Sequence, residues 1–229
     1  MVPPRWQHRR MPTDPFAGRM PTSHERMTGE AWDASYQGEG PAPWDIGRPQ
    51  PAMARLAEAG AFTGPVLDAG CGTGEHALLA ASLGLPVLGV DIAETALARA
   101  RNKARERCLD AEFATADAFR LADLGRSFAT VLDCGLFHTF DPEERPRYVA
   151  ALTAVTEPGG NLYLLCFSEA IRAQGPHPIS RADLEEAFST GAGWTVTSIE
   201  PERLLTTFAE SGVPAWLATL SRLPATTGS

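Results

Sequence analysis

No apolar run in this chain of 229 residues approaches the ~20 residues that a membrane-spanning helix needs, so no such helix is expected. The arginine-bearing first residues lack an apolar h-region and a small-residue cleavage pattern, so no secretory signal is expected either. Cysteine is sparse: Cys71, Cys108, Cys134 and Cys166 form no C-x-x-C pair and have no histidine at zinc spacing. This argues against a zinc module or a disulfide scaffold. A reduced, intracellular, cytoplasmic chain without metal is the expectation, with most of the cysteines acting as small apolar residues. Excess basic charge is missing too. The formal net charge is -8, which excludes a broad nucleic-acid-binding face. Arg99, Arg101, Lys103, Arg105 and Arg107 lie along one helical stretch and read as its solvated face. The phosphate loop G-x-x-x-x-G-K-[ST] is absent, as are internal repeats and low-complexity blocks.

What is present begins at Val66. Val-Leu-Asp-Ala-Gly-Cys-Gly-Thr-Gly runs from Val66 to Gly74, and a helical pattern starts at Glu75. This reads as strand, tight glycine turn, helix. Glycine serves where backbone takes positive φ or a ligand comes very close, so the turn is expected to offer bare N–H groups to something small and polar. A dinucleotide fingerprint would need its third glycine where Glu75 stands, and a carboxylate beside a helix N-terminus disfavours pyrophosphate. The acid Asp68 ahead of a G-x-G-x-G spacing suits a ligand with cationic groups and no phosphate.

The chain is long enough for one α/β domain with a core. Residues 1–26 hold five prolines and five arginines and little that packs, so a disordered or loosely docked arm is expected, with Met20 and Met27 as candidate alternative starts. Residues 27–229 read as a single domain. Trp32 and Tyr36 lie four apart, on one face of a short helix. A Pro/Gly-rich stretch containing Trp44-Asp45-x-Gly-Arg48 follows, and residues 27–51 read as a lid. Helices are expected over Ala52–Ala61, Glu75–Leu83 and Glu94–Cys108, the last with Leu97, Ala100, Ala104 and Cys108 inward. Pro86–Asp91, Ala111–Asp117, Phe128–Cys134 and Asn161–Phe167 read as further strands. Asp141-Pro142-Glu143-Glu144 carries the marks of a helix start, and Ser180 with Asp183 caps another. Trp194–Ile199 and Pro214–Leu220 read as a late antiparallel pair, and Leu223–Ser229 as a polar tail. The fold class is therefore α/β: a Rossmann-like, doubly wound sheet, mostly parallel with an antiparallel edge strand, helices on both faces and an N-terminal lid segment. The expected strand order is 3-2-1-4-5, with ligands outside the carboxyl ends where the order reverses. Asp91 follows Gly70 by the spacing at which an acid reaches ribose hydroxyls, and it equally suits the start of the next helix, with Glu94 three residues on.

On the Asp68–Gly74 turn and Asp91, the chain resembles the class I S-adenosylmethionine-dependent methyltransferases. The resemblance implies that Asp68 lies near the amino-acid end of the cofactor, within a turn of Gly70, Cys71, Gly72 and Gly74. Asp91 would hold the ribose, Ile92 would lie against the adenine, and Asp117 with Ala118 would hold the adenine edge. Asp133 and Cys134 would stand beside the transferring methyl group. On Trp32, Tyr36 and the Trp44–Arg48 motif, the chain resembles the thiopurine methyltransferase group. That group includes plant-type halide and thiol methyltransferases and bacterial enzymes acting on heterocyclic or phenolic toxins. The resemblance implies that Trp32 and Trp44 cover the cofactor. Tyr36 stands where a tryptophan is common. Tyr36, Phe137, His138, Phe167 and His177 would wall the acceptor pocket, the last from a Ser168–Ile179 loop that also holds Arg172.

The expected chemistry is direct in-line transfer from S-adenosylmethionine to a thiol, phenol or heterocyclic nitrogen, leaving S-adenosylhomocysteine, with no metal. Rings that exclude water favour it, and Cys134 reads as wall. His138 is the best-placed candidate for a base or for positioning the acceptor, and equally a packing histidine. Other acceptor classes (amine, carboxylate, carbon) and a non-catalytic cofactor-binding regulator stay open. The expected partner is a small molecule, without nucleic acid or membrane. The sequence sets no oligomeric state beyond a monomer as default.

Overall fold

Strands buried on both faces need near-continuous apolar runs, and four such runs build the centre of the sheet. In a computed structural model, residues 22–24, 30–38, 40–171 and 177–224 are described. Most of the 1–26 arm, Met20, Met27, Arg172 and the end of the tail lie outside them. The strands are β1 (Val66–Ala69), β2 (Val87–Asp91), β3 (Glu112–Thr115), β4 (Phe128–Cys134), β5 (Thr156–Phe167), β6 (Trp194–Thr206) and β7 (Ala209–Arg222). Their order is β3-β2-β1-β4-β5-β7-β6. β1 to β5 are parallel, while β7 runs antiparallel to both β5 and β6. The reversal expected between β1 and β4 is present.

The helices are α1 (Glu30–Gln37), α2 (Pro51–Glu58), α3 (Glu75–Ser82), α4 (Glu94–Glu106), α5 (Arg145–Val155) and α6 (Arg181–Ala187). Alternation along β1 sends Val66 to a core with Met53 and Ala77, and Leu67 to a second core with Phe119 and Tyr148. The sheet is thus covered on both faces, as doubly wound architecture requires.

Three expectations need correction. First, α4 ends at Glu106, and Cys108 beyond it adopts a left-handed φ of 52° and is exposed. Leu97, Ala100 and Ala104 do face inward. Second, the basic face of α4 is not simply solvated. Lys103 and Arg107 both bind Glu75, each at 2.8 Å, and Arg99 donates to the Tyr36 carbonyl. Burial pushes the Glu75 carboxyl up, but these two cations outweigh it and hold the group below its usual range. Third, α5 starts at Arg145, one turn beyond Asp141, whose carbonyl accepts from the Glu144 and Arg145 amides while its carboxylate accepts from the Ser23 N–H at 2.7 Å. The capping box of Ser180 and Asp183 on α6 is present in full. The late hairpin is longer than its apolar pattern. β6 and β7 pair through Pro201 and Pro214, with register shifts near Val196 and Leu204.

Candidate active site

The glycine turn follows β1 because Gly70, Gly72 and Gly74 all take positive φ. Four of its amides are not bare, contrary to expectation. The N–H groups of Gly70 and Cys71 both donate to the Val90 carbonyl, Gly72 donates to Asp91 and Gly74 to the Cys71 carbonyl. The turn therefore supplies room and negative charge rather than donors, a poor phosphate cradle. At Gly72, with φ +52°, a Cβ would stand 2.9 Å from the Tyr36 hydroxyl. At Gly74 it would strike Ala100 and Phe113 at 2.8 Å, so that glycine serves helix packing.

Asp91 ends β2 with one oxygen 2.8 Å from the Gly72 amide and the other 2.9 Å from the Ala93 amide. A carboxylate has about four acceptor sites, so two remain for a ligand. Asp68 is buried at the end of β1 and accepts from the Ala77 amide at 3.0 Å. Burial pushes its carboxyl up to about 7, and Asp133 up to about 6; burial raises Asp91 as well. Three acids strained toward neutrality around one turn favour a cationic occupant.

The segment from α1 to Gln50 is tied down at several points. The Asp33 carboxylate of α1 accepts from the amide and hydroxyl of Thr95, at 2.7 and 2.8 Å, and so caps α4. Asp45 accepts from the Thr73 hydroxyl at 2.9 Å, which explains an acid beside Trp44. Trp44 donates from Nε1 to the Tyr36 hydroxyl at 2.8 Å and meets Trp32 edge-on. Gln50 clamps the far hairpin: it exchanges two hydrogen bonds with the Leu205 backbone, each 2.9 Å, while its amide donates to His76 Nε2.

These elements enclose one cavity of about 370 Å³ over the ends of β1, β2 and β4. Gly70, Cys71, Gly72, Asp91, Ile92 and Ala118 line one side of it. Trp32, Tyr36, Trp44, Cys134, His138 and Phe167 line the rest of the expected wall. Six expected residues lie behind the lining. Asp68 and Gly74 support the turn from below. Asp117 accepts from the Phe119 amide at 2.8 Å and faces His24 Nε2 at 3.3 Å. Asp133 holds the next loop, taking the Leu136 amide and the Tyr148 hydroxyl, each at 2.9 Å. Phe137 packs in the core against Tyr148 and Phe188 rather than walling the pocket. His177 pairs with Asp141 at 2.6 Å, outside the cavity.

His138 is the cavity residue with the most specific geometry. Its ring stacks on Phe167, with centroids 4.1 Å apart, and its Nδ1 accepts the Phe167 amide at 3.0 Å. The imidazole proton therefore sits on Nε2. Burial pushes its pKa down to about 3, so the ring stays neutral. A neutral ring with Nδ1 occupied is a donor, not a base. Sequence reasoning missed Ser23, His24, Gln50, His76, Leu204 and Thr206, all of which line the cavity. His76 follows the glycine turn directly in α3; long-range contacts bring the others there, and no local motif marks them. Among the described residues no group of three His, Cys, Asp or Glu side chains is placed to hold a metal, and no helix is long and apolar enough to cross a membrane.

Comparison with known proteins agrees with this geometry. A family model described as a methyltransferase domain matches residues 66–160. The chain belongs to the class I S-adenosylmethionine-dependent methyltransferases. It is 38% identical over 185 residues to 2-heptyl-1-hydroxyquinolin-4(1H)-one methyltransferase of Mycobacteroides abscessus, covering 76% of this chain and 81% of that one. It is 32% identical to probable thiol methyltransferase 2 of Arabidopsis thaliana, covering 68% and 70%. A solved structure from work on conversion of a disulfide bond into a thioacetal group during echinomycin biosynthesis superimposes with a TM-score of 0.76. It is 39% identical, covering 85% of this chain and 92% of that one.

Proposed function

We propose that the acceptor is a small, flat nucleophile, a thiol, phenol or heterocycle, methylated by direct displacement in the aromatic cavity. The observation that carries this is the lid. Three rings, Trp32, Tyr36 and Trp44, close over the turn and are fixed there by Asp33 and Asp45. Rings remove water and present negative π-faces to a cation.

The residues fit S-adenosylmethionine, because a Cβ at Gly72 would close the cradle and the amides of Gly70, Cys71, Gly72 and Gly74 are already taken within the chain. Asp91 would hold its ribose, Asp68 would balance its ammonium, and Ala118 with Asp117 would meet its adenine. Bound there, it supplies an electrophilic methyl group on a sulfonium. The chain's own residues orient the acceptor and keep water out, which can account for much of the acceleration. His138 donates from Nε2 to the nucleophile or its ring and removes no proton. A thiol, partly ionised near neutrality, needs no base. The hydroxyquinolinone in the mycobacterial relative's name is flat and carries a hydroxyl, a shape that an apolar slot of this kind accepts.

The test is incubation with S-adenosylmethionine and a panel of thiols, phenols and hydroxylated heterocycles, reading S-adenosylhomocysteine by chromatography. Turnover of at least one class above the acceptor-free rate is the expected result. Tight cofactor binding with no turnover of any member would overturn the acceptor reading.

A further inference from the structure

Thr206 presents a contradiction in ordinary folding terms. It is 8% exposed, and its hydroxyl has no hydrogen-bond partner. Valine has the same shape and a better strand propensity, and it would leave no polar atom stranded. A buried hydroxyl kept without a partner is the pattern expected where stability has yielded to function. Thr206 also lines the cavity, together with Leu204 on the same face of β6 and Phe208 beyond it. Leu205, between them, is the residue whose backbone Gln50 clamps. The strand is thus held so that Leu204 and Thr206 face inward.

Leu204 locates Thr206 relative to the reacting end. A Cβ built on Gly135 would lie 3.6 Å from His138 Cε1 and 3.9 Å from Leu204 Cδ1, so these two side chains flank the same spot. Thr206 is the next buried residue along β6 beyond Leu204, across the register shift. We infer that Thr206 reads the acceptor. The hydroxyl is enclosed at the cavity wall, and a turn about χ1 brings it to a polar atom on the far side of the ring from the nucleophile that His138 orients. The class selected is an aromatic acceptor with a second hydroxyl or carbonyl across the ring, its edges held by Leu204 and Phe208. This rests on the acceptor reading above and deepens it.

The test uses two thiols that differ at one group, 4-mercaptophenol and 4-methylbenzenethiol. Their dissociation constants are measured by calorimetry on the protein loaded with S-adenosylhomocysteine, and their kcat/KM values are measured with S-adenosylmethionine. The wild type should favour 4-mercaptophenol by about tenfold, the scale of one hydrogen bond. Thr206→Val should abolish that preference, leave 4-methylbenzenethiol within about twofold and raise Tm; Thr206→Ser should keep the preference. Equal preference in the wild type and Thr206→Val, no preference in the wild type, or binding of neither thiol would each overturn the assignment. Discrimination in binding without turnover of either thiol would leave Thr206's role standing and count against the catalytic reading instead.

Discussion

Asp91 and Gly72 are joined by a 2.8 Å hydrogen bond from the amide of the turn to the carboxylate that ends the neighbouring strand. The same carboxylate holds the Ala93 amide ahead of α4. One side chain therefore fixes both the turn and the next helix, with lone pairs to spare for a ligand. Asp91→Ala should weaken S-adenosylmethionine binding by about ten- to a hundredfold, the loss of one or two hydrogen bonds to a charged group. It should also destabilise the fold by about 1–3 kcal/mol through the orphaned amides. Calorimetry and thermal melts separate the two. Unchanged affinity with a lowered Tm would leave Asp91 a purely structural residue.

The two later glycines of the turn, Gly72 and Gly74, should fail differently. Gly72→Ala puts a methyl group against the Tyr36 hydroxyl, the point where Trp44 is anchored. It should lower cofactor affinity and disturb the lid, seen as altered tryptophan emission. Gly74→Ala instead drives Cβ into Ala100 and Phe113. Overpacking of that kind costs about 1–3 kcal/mol, and it should appear as a lower Tm. Interchanged phenotypes would overturn this division of labour.

How much of this was legible beforehand follows from how local each signal is. The β1 turn, the Asp91 spacing and the order of the first five strands are written in short windows, where apolar runs and glycines act on neighbours. Tyr36 and Trp44 stand in a short aromatic, Pro/Gly-rich window that marks them for the same reason, and both line the cavity. The clamp of Gln50 on Leu205 joins residues 155 apart in the chain, and nothing near either marks it. Phe137 and His138 show the limit of adjacency: one ring enters the core and the other the cavity, because a short 3-10 turn over Phe137–Thr139 splits them. The late hairpin reads short in the sequence because Pro201 and Gly212 interrupt its apolar pattern, yet pairing carries β6 through Pro201 and extends β7 back to Ala209. The filled turn amides could not be read at all, since they depend on the register of β2 against β1.

Cofactor affinity should depend on pH through Asp68. Burial pushes its carboxyl up to about 7 in the folded chain, against roughly 3.9 when unfolded. Between those values the empty folded protein holds a proton that the unfolded chain lacks. That contribution to stability is therefore present at acid pH and lost as pH rises through about 7. A cation at the turn requires the ionised form, so binding below that point must expel the proton. The dissociation constant of S-adenosylmethionine should fall by up to about tenfold per pH unit from pH 5.5, then level above about 7. Calorimetry in two buffers of different ionisation enthalpy should show proton release on the sloping limb. A flat profile in the wild type, or one that survives Asp68→Asn, would assign the proton elsewhere.

His138 offers the sharpest mechanistic choice. With Nδ1 accepting the Phe167 amide and burial holding its pKa near 3, it should not ionise in the working range. The kcat/KM profile from pH 5 to 8 should follow the acceptor's own ionisation and show no histidine step. His138→Asn keeps an acceptor for the Phe167 amide but withdraws the Nε2 donor. It should preserve Tm within a few degrees and lower kcat/KM by about tenfold for phenols and thiols alike, the cost of one positioning hydrogen bond. A general base would behave otherwise. Its removal should spare an aromatic thiol, which ionises more readily than the cysteine value of about 8.5, and slow a phenol, with a pKa near 10, by about a hundredfold or more. Parallel kinetics with 4-methylbenzenethiol and 4-methylphenol decide between them, and a selective loss on the phenol would restore the base.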